Sequence, residues 1–82
     1  MRGEMHSMGS PSSFTFDPAL GGGGRFAIFY GPGHSDLEVY YGDYRAVQVI
    51  HPRHGVIARG HLTGWSYSHS LDEIAFEGRL GR

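Results

Sequence analysis

The sequence predicts a mainly β fold: a small antiparallel meander of five to six strands, curled or partly closed like a barrel. Three observations carry that expectation. From Arg25 onward, apolar residues recur with a period of two, which marks half-buried strands, and not with the 3.6-residue period of a helix. Turn clusters interrupt the alternation about every ten residues, a spacing that suits hairpins and leaves no room for the crossover helices of a parallel sheet. The 82-residue length allows one small domain.

Residues 1–24 read as a flexible arm, and residues 25–82 as the β domain. The start of the arm is polar, rich in Gly, Ser and Met, and aperiodic, so it lacks the apolar surface that would order it. Within the arm, residues 13–16 can form a short edge strand because Phe14 and Phe16 alternate with Ser13 and Thr15. Residues 21–24 are four consecutive glycines and read as a joint. They do not read as a phosphate cradle, because no Gly-Lys-Ser/Thr follows and the next segment is strand-like.

The first strand of the domain sets Phe26, Ile28 and Tyr30 on one face, and Gly31-Pro32-Gly33 ends it. The next sets Leu37, Val39 and Tyr41 on one face. Apolar matching across the following hairpin selects a three-residue loop, Gly42 to Tyr44, which pairs Val39 with Val47 and Leu37 with Val49. The loop Pro52-Arg53-His54-Gly55 suits a type I turn, and it sets Val49 against Ala58 and Val47 against Gly60. The expected inner face is Leu37, Val39, Tyr41, Val47, Val49, Val56, Ala58 and Leu62. A break at Thr63-Gly64 precedes the alternation Trp65-Ser66-Tyr67-Ser68. After it, Ser70-Leu71-Asp72-Glu73 fits a capping box for one short C-terminal helical turn. Ile74 and Phe76 alternate instead as a strand would, and a segment this short does not hold as a helix without packing. The strand is therefore expected, with residues 78–82 frayed.

Composition excludes several classes. No Cys is present, so neither a disulfide scaffold nor a Cys-based zinc finger can form. No apolar run approaches the ~20 residues of a membrane helix, and the first residues hold no apolar stretch of a secretory signal, so a cytoplasmic protein is expected. The formal charge of -1 lacks the basic footprint of an autonomous DNA binder. All seven basic residues are Arg, and Asn is absent as well. A GC-rich genome explains both absences, and a preference for bidentate guanidinium contacts is the sharper alternative.

Chemistry-bearing patterns are sparse. Six His are present, but the registers put His51 and His61 at opposite ends of one ladder, roughly 15–20 Å apart by strand rise, too far for one tetrahedral metal site. Ser66, Ser68 and Ser70 lie near His69, yet adjacent strand residues point to opposite faces and no Gly-x-Ser-x-Gly elbow occurs. Asp72-Glu73 reads as turn solvation or capping, and Asp36 and Glu38 as the solvent face of a strand. No enzyme activity, cofactor or metal is expected.

The outer face of the sheet is the more informative surface. The same registers align Glu38, Gln48 and Arg59 as a cross-strand row, with Tyr40 and Ala46 on one side and Ile50 and Ile57 on the other. Tyr and Arg dominate interface hot spots, which makes Phe29, Glu38, Tyr40, Tyr44, Arg53 and Arg59 the candidate partner-binding residues. The expected function is a non-enzymatic protein-interaction module that docks on a larger protein or self-assembles. An inhibitor or accessory protein of phage or mobile-element type fits its size and its lack of catalytic motifs. The alternative is a single-stranded nucleic-acid binder, with Tyr40, Trp65 and Tyr67 as stacking platforms and Arg25, Arg45, Arg53 and Arg59 near phosphates. Trp65 and Tyr67 otherwise serve as the core cap a small sheet needs.

Overall fold

The computed structural model describes residues 4–18 and 23–81. Strands β1 (His6–Gly9), β2 (Ser13–Asp17), β3 (Arg25–Tyr30), β4 (Glu38–Tyr41), β5 (Ala46–His51), β6 (Gly55–Ser68) and β7 (Glu73–Leu80) form one antiparallel sheet. Its order is β1-β4-β5-β6-β7-β3-β2. The alternating period of the sequence is thus realised as the mainly β, antiparallel architecture it predicts. There are seven strands instead of five or six, and the added strand is β1.

Residues 6–17 are built into the sheet and do not form a loose arm. β1 pairs with β4 (Ser7↔Tyr40) and β2 with β3 (Phe14↔Ile28). These are the two edges of the sheet, yet only residues 10–12 separate them in the chain. The sheet therefore has to curl until its edges come near one another, although they do not pair and it stays open. Pro11, fully buried, sits at the junction. Its carbonyl accepts from the Ser35 N–H and the Ser35 hydroxyl, both at 2.8 Å, while the Ser12 N–H donates to the Phe29 carbonyl at 2.7 Å. Backbone hydrogen bonding organises this segment where side-chain hydrophobicity is scarce, which is why composition misread it. The glycine joint lies partly outside the described residues; Gly24 is buried and its carbonyl accepts from the Leu80 N–H at 2.9 Å.

The curl closes a core of Phe26, Ile28, Val39, Val47, Val49 and Ala58, flanked by Met8, Phe14, Leu37, Leu62, Phe76 and Leu80. Gly60 and Gly78 admit the close approach of β6, β7 and β3. A Cβ on Gly78 would meet the Phe26 ring and the His61 carbonyl, and one on Gly60 would meet the Arg79 carbonyl.

Two registers differ from expectation. Across β4–β5 the pairs are Val39↔Val49 and Tyr41↔Val47. The loop is three residues long, as apolar matching requires, but it is Asp43–Arg45 and not Gly42–Tyr44, because Gly42 bonds Ala46 across its ends. Its 3-10 turn, Asp43–Arg45, holds Tyr44 and Arg45 at φ 58° and 61°, and the Gly42 N–H donates to the Ala46 carbonyl at 2.8 Å. Across β5–β6, Val47↔Gly60 and Val49↔Ala58 form as expected. A bulge between Val49 and Ile50 then pairs Ile50 with Val56, which moves Val56 off the inner face. Tyr41 keeps its inner register but lies exposed near the end of the ladder. The break at Thr63-Gly64 is likewise a bulge, so β6 continues as one strand of 14 residues. The C-terminal segment is a strand to Leu80 and carries no helical turn; β3 and β6 pair it on both sides, so residues 78–80 do not fray.

Candidate functional site

Beyond the bulge, β6 outruns β5. The β5–β6 ladder ends at Ala46↔His61, whereas the β6–β7 ladder continues through Trp65↔Phe76 and Tyr67↔Ile74 to Ser68↔Glu73. Cross-strand partners share a face. Trp65, Tyr67, Ile74 and Phe76 therefore continue the inner face of the sheet, but among the described residues no strand lies opposite to cover them. Phe76 stays half-buried because Tyr30 packs edge-on against it, with ring centroids 5.9 Å apart at 85°. The others do not: Trp65 is 67% exposed, Tyr67 53%, Leu71 in the hairpin turn 62% and Ile74 37%. Trp65 and Tyr67 are not the core cap that their residue types suggest.

A shallow groove of about 180 Å³ opens at the foot of this surface, lined by Arg45, Leu62, Gly64, Trp65 and Phe76. The left-handed turn at Tyr44 and Arg45 brings Arg45 there and leaves Tyr44 92% exposed nearby. Arg45 is the only charged residue in the groove lining. A second depression, about 400 Å³, lies where Arg25 and Arg79 oppose each other across β3–β7, beside Thr63 and Glu77.

The Tyr30 hydroxyl borders the core behind this surface. It is buried with no hydrogen-bond partner among the described residues. Burial disfavours the phenolate and pushes its pKa up to about 12.

The outer-face row is altered by the register shift. Tyr40, Gln48 and Arg59 now lie in line across β4, β5 and β6, and Glu38 faces Ile50. Glu38 and Tyr40 still meet, since the Tyr40 hydroxyl donates to Glu38 Oε1 at 3.1 Å, and that bond with the nearby carboxylate charge raises the phenol's pKa. Glu38, Tyr40 and Arg59 thus share one stretch of surface. Arg53 lies in the β5–β6 turn, where its N–H donates to His51 Nδ1 at 3.0 Å, and Tyr44 lies at the opposite end of β5. Phe29 sits on β3 between Ser13 and Ala75, across the sheet from β4. The six candidates do not form one site.

Ser68 and Ser70, two of the serines near His69, are engaged locally. Ser68 Oγ accepts from the Leu71 N–H at 3.3 Å and lies 3.4 Å from Ser70 Oγ. The His51 and His54 rings stack at 4.5 Å. Among the described residues, no three His, Asp or Glu side chains come together as metal ligands, and no helix is long and apolar enough to cross a membrane.

Reading from sequence missed Leu71 and Ile74 as site residues. The signal available was the lack of any Asp, Glu, Lys or Arg between Arg59 and Asp72, together with Leu62, Trp65, Tyr67 and Leu71 within that stretch and Ile74 just beyond it. No protein-family model, curated protein or solved structure matches the chain.

Proposed function

We propose that this chain is a non-enzymatic interaction module that docks on protein through the overhanging end of the β6–β7 hairpin. One observation carries the reading: Trp65, Tyr67 and Ile74 form an apolar surface on the side of the sheet that elsewhere is core, with Leu71 exposed in the adjoining turn. Contiguous exposed apolar surface of this kind marks interaction sites, and aromatic side chains are the usual anchors of such interfaces. The outer-face group of Glu38, Tyr40 and Arg59 is a polar surface suited to a secondary contact. A cytoplasmic inhibitor or accessory protein of phage or mobile-element type is the setting that the small size and the absence of Cys favour.

A second reading, stacking of single-stranded nucleic acid on Trp65 and Tyr67, draws support from Arg45 beside Trp65. Against it stands the formal charge of -1.

Native mass measurement of the protein purified from its host tests the first reading. The expected result is a species heavier than the 9.0 kDa chain, lost when Trp65 and Tyr67 are both changed to Ala while the denaturation midpoint is kept. A species that stays at the mass of one chain overturns it. Binding to a single-stranded oligonucleotide that weakens steeply with salt would transfer the function to the second reading.

A further inference from the structure

We infer that the partner of the hairpin surface is a second copy of this chain, paired antiparallel along the free edge of β6 about a two-fold axis at Ser66. This rests on the docking reading above and names its occupant. Among the described residues, no strand pairs with residues 62–68 on the side away from β7. The other free edges are the short β1 and β2, of four and five residues. An open edge presents a row of N–H and C=O groups that another strand can satisfy.

Hydrogen bonding in β7 settles which groups those are. The Leu80 N–H donates to Gly24 on the β3 side and the Gly81 N–H to Arg59 of β6. Backbone direction alternates along a strand, so Glu77, Ala75 and Glu73 turn toward β6 and bond their partners Gly64, Ser66 and Ser68. Trp65 and Tyr67 are left with both backbone groups facing outward. A two-fold axis at Ser66 places Trp65 opposite Tyr67 of the copy, and Tyr67 opposite its Trp65. Both are hydrogen-bonded pairs, and both bring aromatic against aromatic.

The chemistry of the edge favours a copy of itself. The stretch between Arg59 and Asp72 contains no Asp, Glu, Lys or Arg, so a symmetric pairing sets no like charges together there. It also lacks the Lys or Pro with which natural edges block such pairing. Trp65, Tyr67, Leu71 and Ile74 together offer roughly 400 Å² of side-chain surface. With the edge backbone and the Tyr44 ring, the surface approaches the ~600 Å² per partner of the smaller specific interfaces. A reversible dimer follows, and not a permanent one.

Crosslinking gives a position-specific test, since the chain has no Cys of its own. Ser66 of each copy would face the other as a non-hydrogen-bonded pair, with Cα atoms ~4.5 Å apart, within disulfide reach. Ser66→Cys is expected to form a covalent dimer on mild oxidation. Ser68→Cys, whose partner across the axis is Gly64, is expected to stay uncrosslinked. In sedimentation of the unmodified chain at about 5 and about 200 µM, the mass should rise toward a dimer. Tyr67→Lys should hold it at one chain at both concentrations. A monomer at both concentrations, equal crosslinking at the two positions, or a dimer indifferent to Tyr67→Lys overturns the proposal. A monomeric pure chain that purifies from its host with a different protein, through Trp65 and Tyr67, would leave the docking reading standing with another occupant.

Discussion

The two halves of β6 make an instructive pair. From Gly55 to His61 the strand is paired to β5, with β7 joining its other side near Gly60, and its inward residues Ala58 and Gly60 are buried. From Leu62 to Ser68 it is paired only to β7 among the described residues; of its inward residues Leu62 still flanks the core, whereas Trp65 and Tyr67 are exposed. The half with the smaller inward side chains is the buried one, so residue type does not decide burial here. A residue on the inner face is buried only where the curled sheet places another strand opposite it. The overhang keeps its order through pairing to β7, which β3 holds from its other side, while its own apolar face stays exposed. A sheet in which one strand outruns its neighbour thus separates the residues that hold the fold from those free to bind.

Substitutions can break or sharpen this contrast. The largest effect is expected at Ile28, fully buried on β3. Ile28→Ala removes core contacts and leaves a cavity, and should lower stability by about 3 kcal/mol in denaturant titration. In a small domain that is a large share of the total.

A smaller effect, of opposite sign, is expected where core and overhang meet. Tyr30→Phe removes a buried hydroxyl with no partner among the described residues and should raise stability by about 1 kcal/mol at neutral pH. It should also alter the alkaline limb. The folded-state pKa is about 12 against 10.0 for the free phenol, so between those values the unfolded chain loses this proton first. Stability from this group is whole below pH 10 and falls as pH rises toward 12. The variant should lose that part of the decline; an unchanged alkaline limb would place the Tyr30 hydroxyl in solvent.

The smallest effect is expected from Trp65→Ala. At concentrations where the chain is monomeric, its denaturation midpoint should correspond to a change within about 0.5 kcal/mol. A loss as large as that of Ile28→Ala would make Trp65 a core residue and dissolve the distinction between the two halves of the strand.

Much of the fold was legible along the chain, and little of the site. Alternation at Phe26, Ile28, Val39, Val47, Val49 and Ala58 marked residues that are in fact core, because a period of two sorts side chains to faces without reference to any partner. Hairpin registers were legible where Val49 and Ala58 had to match, and illegible where a bulge at Ile57 or Thr63 changed the count, since a bulge is set by twist and closure. Residues 6–9 carried no readable strand signal because they have no apolar alternation; backbone pairing to β4 places them, and Met8 alone of their side chains packs on the core. The candidates Phe29, Tyr44 and Arg53 were chosen by residue type, and the strand order carries them to different parts of the surface.

By itself the sequence determined the β class, the antiparallel connectivity of its hairpins, the parity of its faces and the exclusion of Cys chemistry. These are properties of residue type and of spacing over a few positions. Only the tertiary structure decided that β1 and β2 sit at opposite edges of the sheet, that β6 outruns β5, and that Trp65 and Tyr67 lie uncovered. Those facts depend on which strands curl to face each other, an arrangement between segments far apart in the chain that no local period records.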